Sequence, residues 1–216
     1  MAAQPMSTVE LCWVRVRECY QGDCLRFVAQ HCRNARHVSV QETSHFDERS
    51  LLRMVCGMRQ LESLEVDSSL FGGGFPEPQS LLDRLAKFCP RLQHLSLTLR
   101  HERPSERHVL SVRALAWLGR RLRTLDLGVV AVRVPGGSKT LAACCPQLER
   151  LCAQLCQQEN RHIDLVEPTD LARGCAQISE LDLAPINWDD ITLRRFVEAA
   201  PNLNSLALRQ VALHAS

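Results

Sequence analysis

One apolar pattern, LxxLxL, recurs along nearly the whole chain, and self-similarity of this kind restricts the fold more than composition does. The clearest copies are Leu92, Leu95 and Leu97; Leu122, Leu125 and Leu127; Ile178, Leu181 and Leu183; and Leu203, Leu206 and Leu208. Looser copies are Leu11, Val14 and Val16; Ala35, Val38 and Val40; Leu61, Leu64 and Val66; and Leu148, Leu151 and Ala153. The eight first positions, 11, 35, 61, 92, 122, 148, 178 and 203, are separated by 24, 26, 31, 30, 26, 30 and 25 residues. A unit of about 20–29 residues holds one strand and, at its upper end, one helix, so intervals of 30 and 31 imply inserted loops.

Ahead of most copies, apolar residues fall at the three- and four-residue steps of a helix: Leu81, Leu82, Leu85 and Phe88; Val112, Leu115 and Leu118; Leu193, Phe196 and Val197. Trp117 lies within such a pattern and is expected in the core. Each helix meets a stop, at CPRL (89–92), CPQL (145–148) and APNL (200–203), where proline cannot continue it, or at Gly57, Gly119 and Gly174. The unit is therefore helix, short turn, short strand and a loop returning to the next helix. One unit cannot bury either of its faces alone, so units stack, with parallel strands on an inner face and helices on an outer one. The expected fold is an α/β leucine-rich-repeat solenoid, or horseshoe, with strands concave and helices convex. Residues 11–213 form its single domain, and 1–10 and 214–216 are tails.

The phrasing of the units resembles the cysteine-containing leucine-rich repeats of F-box/LRR proteins and the related ribonuclease-inhibitor-like superfamily. The best copy is DDITLRRFVEAAPNLNSLAL, from Asp189 to Leu208, where Ile191, Leu193, Phe196, Pro201, Leu203, Leu206 and Leu208 match the family's pattern. LLDRLAKFCPRLQHLSL and LAACCPQLERLCAQLC follow it too. At the family's second cysteine position the chain has Cys156, but otherwise Thr43, Ser69, Arg100, Val130, Ile186 and Val211, so the repeats are degenerate. The resemblance implies a protein-binding role, with a substrate receptor of a cullin-type ubiquitin ligase as its specific form. It also implies an adaptor-docking F-box of about 40 residues ahead of the repeats. The first strand motif begins at Leu11, so this chain is expected to be a repeat-only relative or part of a longer product, and adaptor docking does not follow automatically.

Composition narrows the partners. The 26 basic and 24 acidic residues leave a net charge of +2, with no bulk field directed at nucleic acid or an anionic membrane. Only Lys87 and Lys139 among the basic residues are lysines, a bias explained either by codon composition or by avoidance of self-modification. Eleven cysteines form an odd set, and MAAQPMSTVE lacks a basic flank followed by an apolar core, so free thiols and a cytoplasmic or nuclear location are expected. No apolar run approaches the roughly 20 residues of a membrane span.

The residues between the core leucines of each strand decide what the inner face offers. Trp13, Arg15 and Arg17 on the first strand form either a binding anchor or a cap over the end of the core. Glu65 with Asp67, and Glu180 with Asp182, form two acidic groups with Asp126 between them in stacking order, suited to basic side chains of a partner. His94, Arg150 and Arg209 complete the candidate protein-binding set. Two loops, Gly72–Pro76 and Val130–Lys139, are further candidate contacts, and Trp188 falls in a loop after the seventh strand. Cys144, Cys145, Cys152 and Cys156 contain no CxxC pair, and Cys145 shares its helix-end position with Cys32, Cys89 and Cys175, so repetition explains it better than metal coordination. No GxSxG, HExxH or phosphate loop is present, so no cofactor and no enzymatic activity are expected. The competing expectation to a ligase receptor is a scaffold or assembly factor in a multiprotein complex.

Overall fold

The computed structural model describes residues 13–17, 23–41, 48–68, 78–99, 110–133, 137–155, 168–184 and 189–208. Strands and helices alternate along them: β1 (Trp13–Arg17), α1 (Asp23–His31), β2 (His37–Gln41), α2 (Glu48–Gly57), β3 (Ser63–Ser68), α3 (Pro78–Phe88), β4 (His94–Leu99), a two-residue β5 (Leu110–Ser111), α4 (Val112–Leu118), β6 (Thr124–Arg133), α5 (Gly137–Cys144), β7 (Arg150–Leu155), α6 (Pro168–Gly174), β8 (Glu180–Ala184), α7 (Asp190–Ala199) and β9 (Ser205–Leu208). Eight strands form one open parallel sheet in the order β1-β2-β3-β4-β6-β7-β8-β9, and β5 pairs with the end of β6. Contacts join consecutive strands and consecutive helices, as expected of a repeat-like stack.

The register follows from the leucines. Val38, Leu64, Leu95, Leu125, Leu151, Leu181 and Leu206 stand opposite one another across successive strands. All but Leu206 are buried, as are the motif's first positions Ala35, Leu61, Leu92, Leu122, Leu148 and Ile178. Helix residues Leu51, Leu82, Leu115, Leu141 and Leu171 close the same core from the other side. A fully buried leucine contributes about 1.5–3 kcal/mol relative to exposure, which holds strand and helix layers together.

Each helix passes into its strand through the same hydrogen-bonded turn. The amide of the motif's first residue donates to the carbonyl three residues earlier, as from Leu92 to Cys89 at 3.2 Å and from Ile178 to Cys175 at 2.9 Å. One carbonyl of each unit then accepts from two successive amides of the next: Arg36 from Glu62 and Ser63, Glu62 from Gln93 and His94, Arg123 from Glu149 and Arg150. These bonds leave no orphaned carbonyl row at the turns. Pro90, Pro146 and Pro201 sit in them just beyond α3, α5 and α7, as the stop signals predict.

Three expectations are corrected. Val130–Lys139 is not a loop over its whole length: β6 runs to Arg133, where Val132 and Arg133 pair with Leu110 and Ser111, and α5 begins at Gly137. Equal spacing from the motif's first residue sets Gly128 opposite Gln154, but a register shift after Asp126 places Ala131 there. Trp117 is 77% exposed instead of buried. Leu115 and Leu118 occupy the inward side of α4, and at about 100° per residue Trp117 falls about 100° from Leu118 and about 160° from Leu115, facing outward. In α7 Phe196 is fully buried, whereas Ile191 and Val197 are exposed, because no further described unit packs beyond that helix. The Gly72–Pro76 loop, Trp188, Cys156 and Arg209 lie outside the described residues.

Candidate protein-binding face

Because side chains alternate along each strand, the residues between the buried leucines share the sheet face opposite the helices. Strand pairing assembles them into rows. The first runs Trp13, His37, Ser63, His94, Thr124, Arg150, Glu180, Ser205, and the second Arg15, Ser39, Glu65, Ser96, Asp126, Cys152, Asp182, Ala207. In the third, Arg17, Gln41, Asp67 and Thr98 stand in sequence.

The two acidic groups do not form one cluster. Glu65 and Asp182 share the second row but are four strand steps apart, roughly 19 Å at about 4.8 Å per step. Asp126 stands midway, so acids recur on every second strand, separated by Ser96 and Cys152. Glu65 is already engaged: Ser39 Oγ donates to its Oε2 at 2.8 Å and Gln41 Nε2 to its Oε1 at 3.4 Å. Glu180 receives Arg150 Nε at 3.3 Å across adjacent strands. Both of these residues are about half exposed, so the pair contributes no more than about 0–1 kcal/mol and remains available for exchange with a partner.

Trp13 is 57% exposed and stands at the end strand of the sheet, opposite His37. Its indole stacks on the His37 ring with centroids 5.3 Å apart and an interplanar angle of 22°, and the Arg15 guanidinium lies 5.8 Å from the indole centroid. Arg17 ends the strand, exposed. At the centre of the face, His94 Nδ1 stands 3.0 Å from Thr124 Oγ1. Burial holds the His94 imidazole below its ordinary 6.5, outweighing the opposing pull of Glu149, so the ring stays neutral near pH 7 and serves as a hydrogen-bonding rather than a charged group.

Sequence reasoning missed the polar rim beside this face. The residue after the motif's first position is charged in several units, and stacking pairs them: Arg36 with Glu62 at 3.7 Å and Arg123 with Glu149 at 3.0 Å. Opposite charges recurring 26 residues apart were the available signal. Among the described residues no group of three or more His, Cys, Asp or Glu is placed to hold a metal ion, and no helix is long and apolar enough to cross a membrane.

The fold and face define an α/β protein whose parallel strands and helices alternate in repeat-like units and present one continuous polar strand surface. Neither the scan against protein-family models nor the search of curated proteins finds a match.

Proposed function

We propose that this protein is a leucine-rich-repeat module whose sheet curves into a horseshoe, and that the concave strand face and its flanking loops hold a partner protein. The observation that supports this reading is the in-register display of Trp13, Arg15, Glu65, His94, Asp126, Arg150, Glu180 and Asp182 on one surface spanning eight strands. Arrays of this type use such extended surfaces for binding. Mixed charge with exposed Trp and Arg at one end suits a protein ligand, since these two residue types are enriched at interface hot spots. The resemblance to F-box/LRR repeats gives the specific form, recognition of a substrate for a cullin-type ubiquitin ligase.

Affinity purification from cells with mass spectrometry tests both levels. The native chain is compared with one carrying Glu65→Ala, Asp67→Ala, Glu180→Ala and Asp182→Ala. Loss of partners in the variant is the expected result, and recovery of a ligase adaptor with the native chain supports the receptor form. A stable complex without an adaptor assigns the protein to scaffolding instead. Partners that survive all four substitutions contradict binding through the acidic groups of the strand face.

A further inference from the structure

A cleft lies on the helix side, away from the strand face, between α1 and α2. It is a broad, open groove of about 630 Å³, and its walls carry Arg26 and Arg33 from the first helical unit and Arg53 and Arg59 from the second. The remaining lining is Ala29, Gln30, Cys56 and Gly57, with no acidic residue among them. The small residues keep the floor open: a Cβ added at Gly57 would stand 3.5 Å from the Ala29 carbonyl oxygen. A fifth guanidinium approaches the same wall, Arg84 Nη1 on α3 donating to Cys56 Sγ at 3.8 Å.

Arginine near a helix C-terminus is favoured by the helix dipole, which accounts for Arg33 and Arg59 individually. It does not account for Arg53 in the body of α2, nor for four arginines converging on one cavity. Arg33, Arg53 and Arg59 enter none of the ion pairs among the described residues. Arg26 lies within α1 and Arg33 two residues beyond its end, and Arg53 and Arg59 stand likewise within and beyond α2, so each helical unit presents its two arginines at separate points along the cleft. Charges so spread do not converge on a single phosphate. They match a chain bearing several anions, and an extended peptide returns a side chain to the same side about every 6.6 Å. None of the lining side chains offers a ring on which a nucleic-acid base stacks. Guanidinium forks pair bidentately with carboxylates.

We infer that the cleft between α1 and α2 is a second binding site, which docks an extended acidic peptide segment of a protein partner through Arg26, Arg33, Arg53 and Arg59. The test is fluorescence anisotropy of the full chain with labelled hexaglutamate, and with a labelled six-nucleotide oligothymidylate for comparison. Arg53→Gln/Arg59→Gln weakens hexaglutamate binding about ten-fold, an effect typical of losing two charge-assisted contacts. Arg91→Gln/Arg120→Gln, which removes the same charge from turns outside the cleft, leaves it within about two-fold. All four side chains are exposed, and an unchanged melting temperature certifies that each variant is folded. Equal weakening by both double variants, no binding of hexaglutamate by the native chain, or oligothymidylate binding as tightly as hexaglutamate would overturn the assignment.

Discussion

The cysteines show how one residue type is selected by a place in the fold. Cys32, Cys89, Cys145 and Cys175 all stand three residues before a motif's first position, a site held by Met58, Gly119 and Ala200 in the other described units. All four thiols are buried. Cys89 donates to the Val55 carbonyl at 3.4 Å and Cys175 to the Cys145 carbonyl at 3.2 Å, each reaching back to the preceding unit's helix end. A small apolar side chain with a weak donor fits there better than a larger hydrophobe. Burial pushes Cys89 and Cys175 from 9.0 up to about 12. The unfolded chain therefore releases these protons first, so stability is full below pH 9 and falls between pH 9 and about 12. Urea denaturation across that range checks this, with Cys89→Ala/Cys175→Ala showing a shallower decline. Gly119 occupies the equivalent position where nothing larger fits, because a Cβ would collide with the Cys144 backbone and Cys145 Sγ of the next unit. Gly119→Ala is expected to cost about 1–3 kcal/mol in urea denaturation, as overpacking does. Gly57→Ala, whose Cβ would meet the Ala29 carbonyl oxygen at 3.5 Å, an ordinary contact, leaves stability unchanged or raised.

Elements whose signal is local were legible in the sequence, and those set by neighbours were not. Strands β2, β3, β4, β7, β8 and β9 lie where the leucine motif places them, since alternation of period two is written in the residues themselves. The extension of β6 through Val130–Arg133 was hidden because it pairs on one side with Leu110–Ser111 of the preceding insertion and on the other with β7 only after a register shift. Exposure of Trp117 was misjudged because an apolar residue near helical spacing looks inward until the angular position of Leu115 and Leu118 is fixed. The end strand differs from the central ones for a related reason: Leu206 and Leu208 in β9 are only partly buried, whereas Leu95 and Leu97 in β4 are buried. Hydrogen–deuterium exchange should accordingly find the amides of β9 less protected than those of β4 and β7, with opening free energies that grow toward the middle of the stack. Uniform protection along the sheet would contradict nearest-neighbour stacking.

At the scale of the whole molecule, the binding face was legible as a set of residues but not as a set of interactions. Alternation identified Glu65, His94 and Arg150 as outward-facing, while their partners Ser39, Thr124 and Glu180 depend on which strand lies beside which. The arginine cleft was invisible for the same reason, since Arg26 and Arg53 come together only through the packing of α1 against α2. A partner protein lying across the strand face would be displaced by a bulky side chain placed at its middle. Ser96 sits on the central strand β4 between Glu65 and Asp126, so Ser96→Trp plugs the face without touching the core, and Ala143→Trp, at an exposed position of α5, is the matched control. In affinity purification of both variants at equal melting temperature, Ser96→Trp is expected to lose the partners the native chain recovers and Ala143→Trp to keep them. Full recovery with Ser96→Trp, or loss with Ala143→Trp alone, would contradict binding across the strand face.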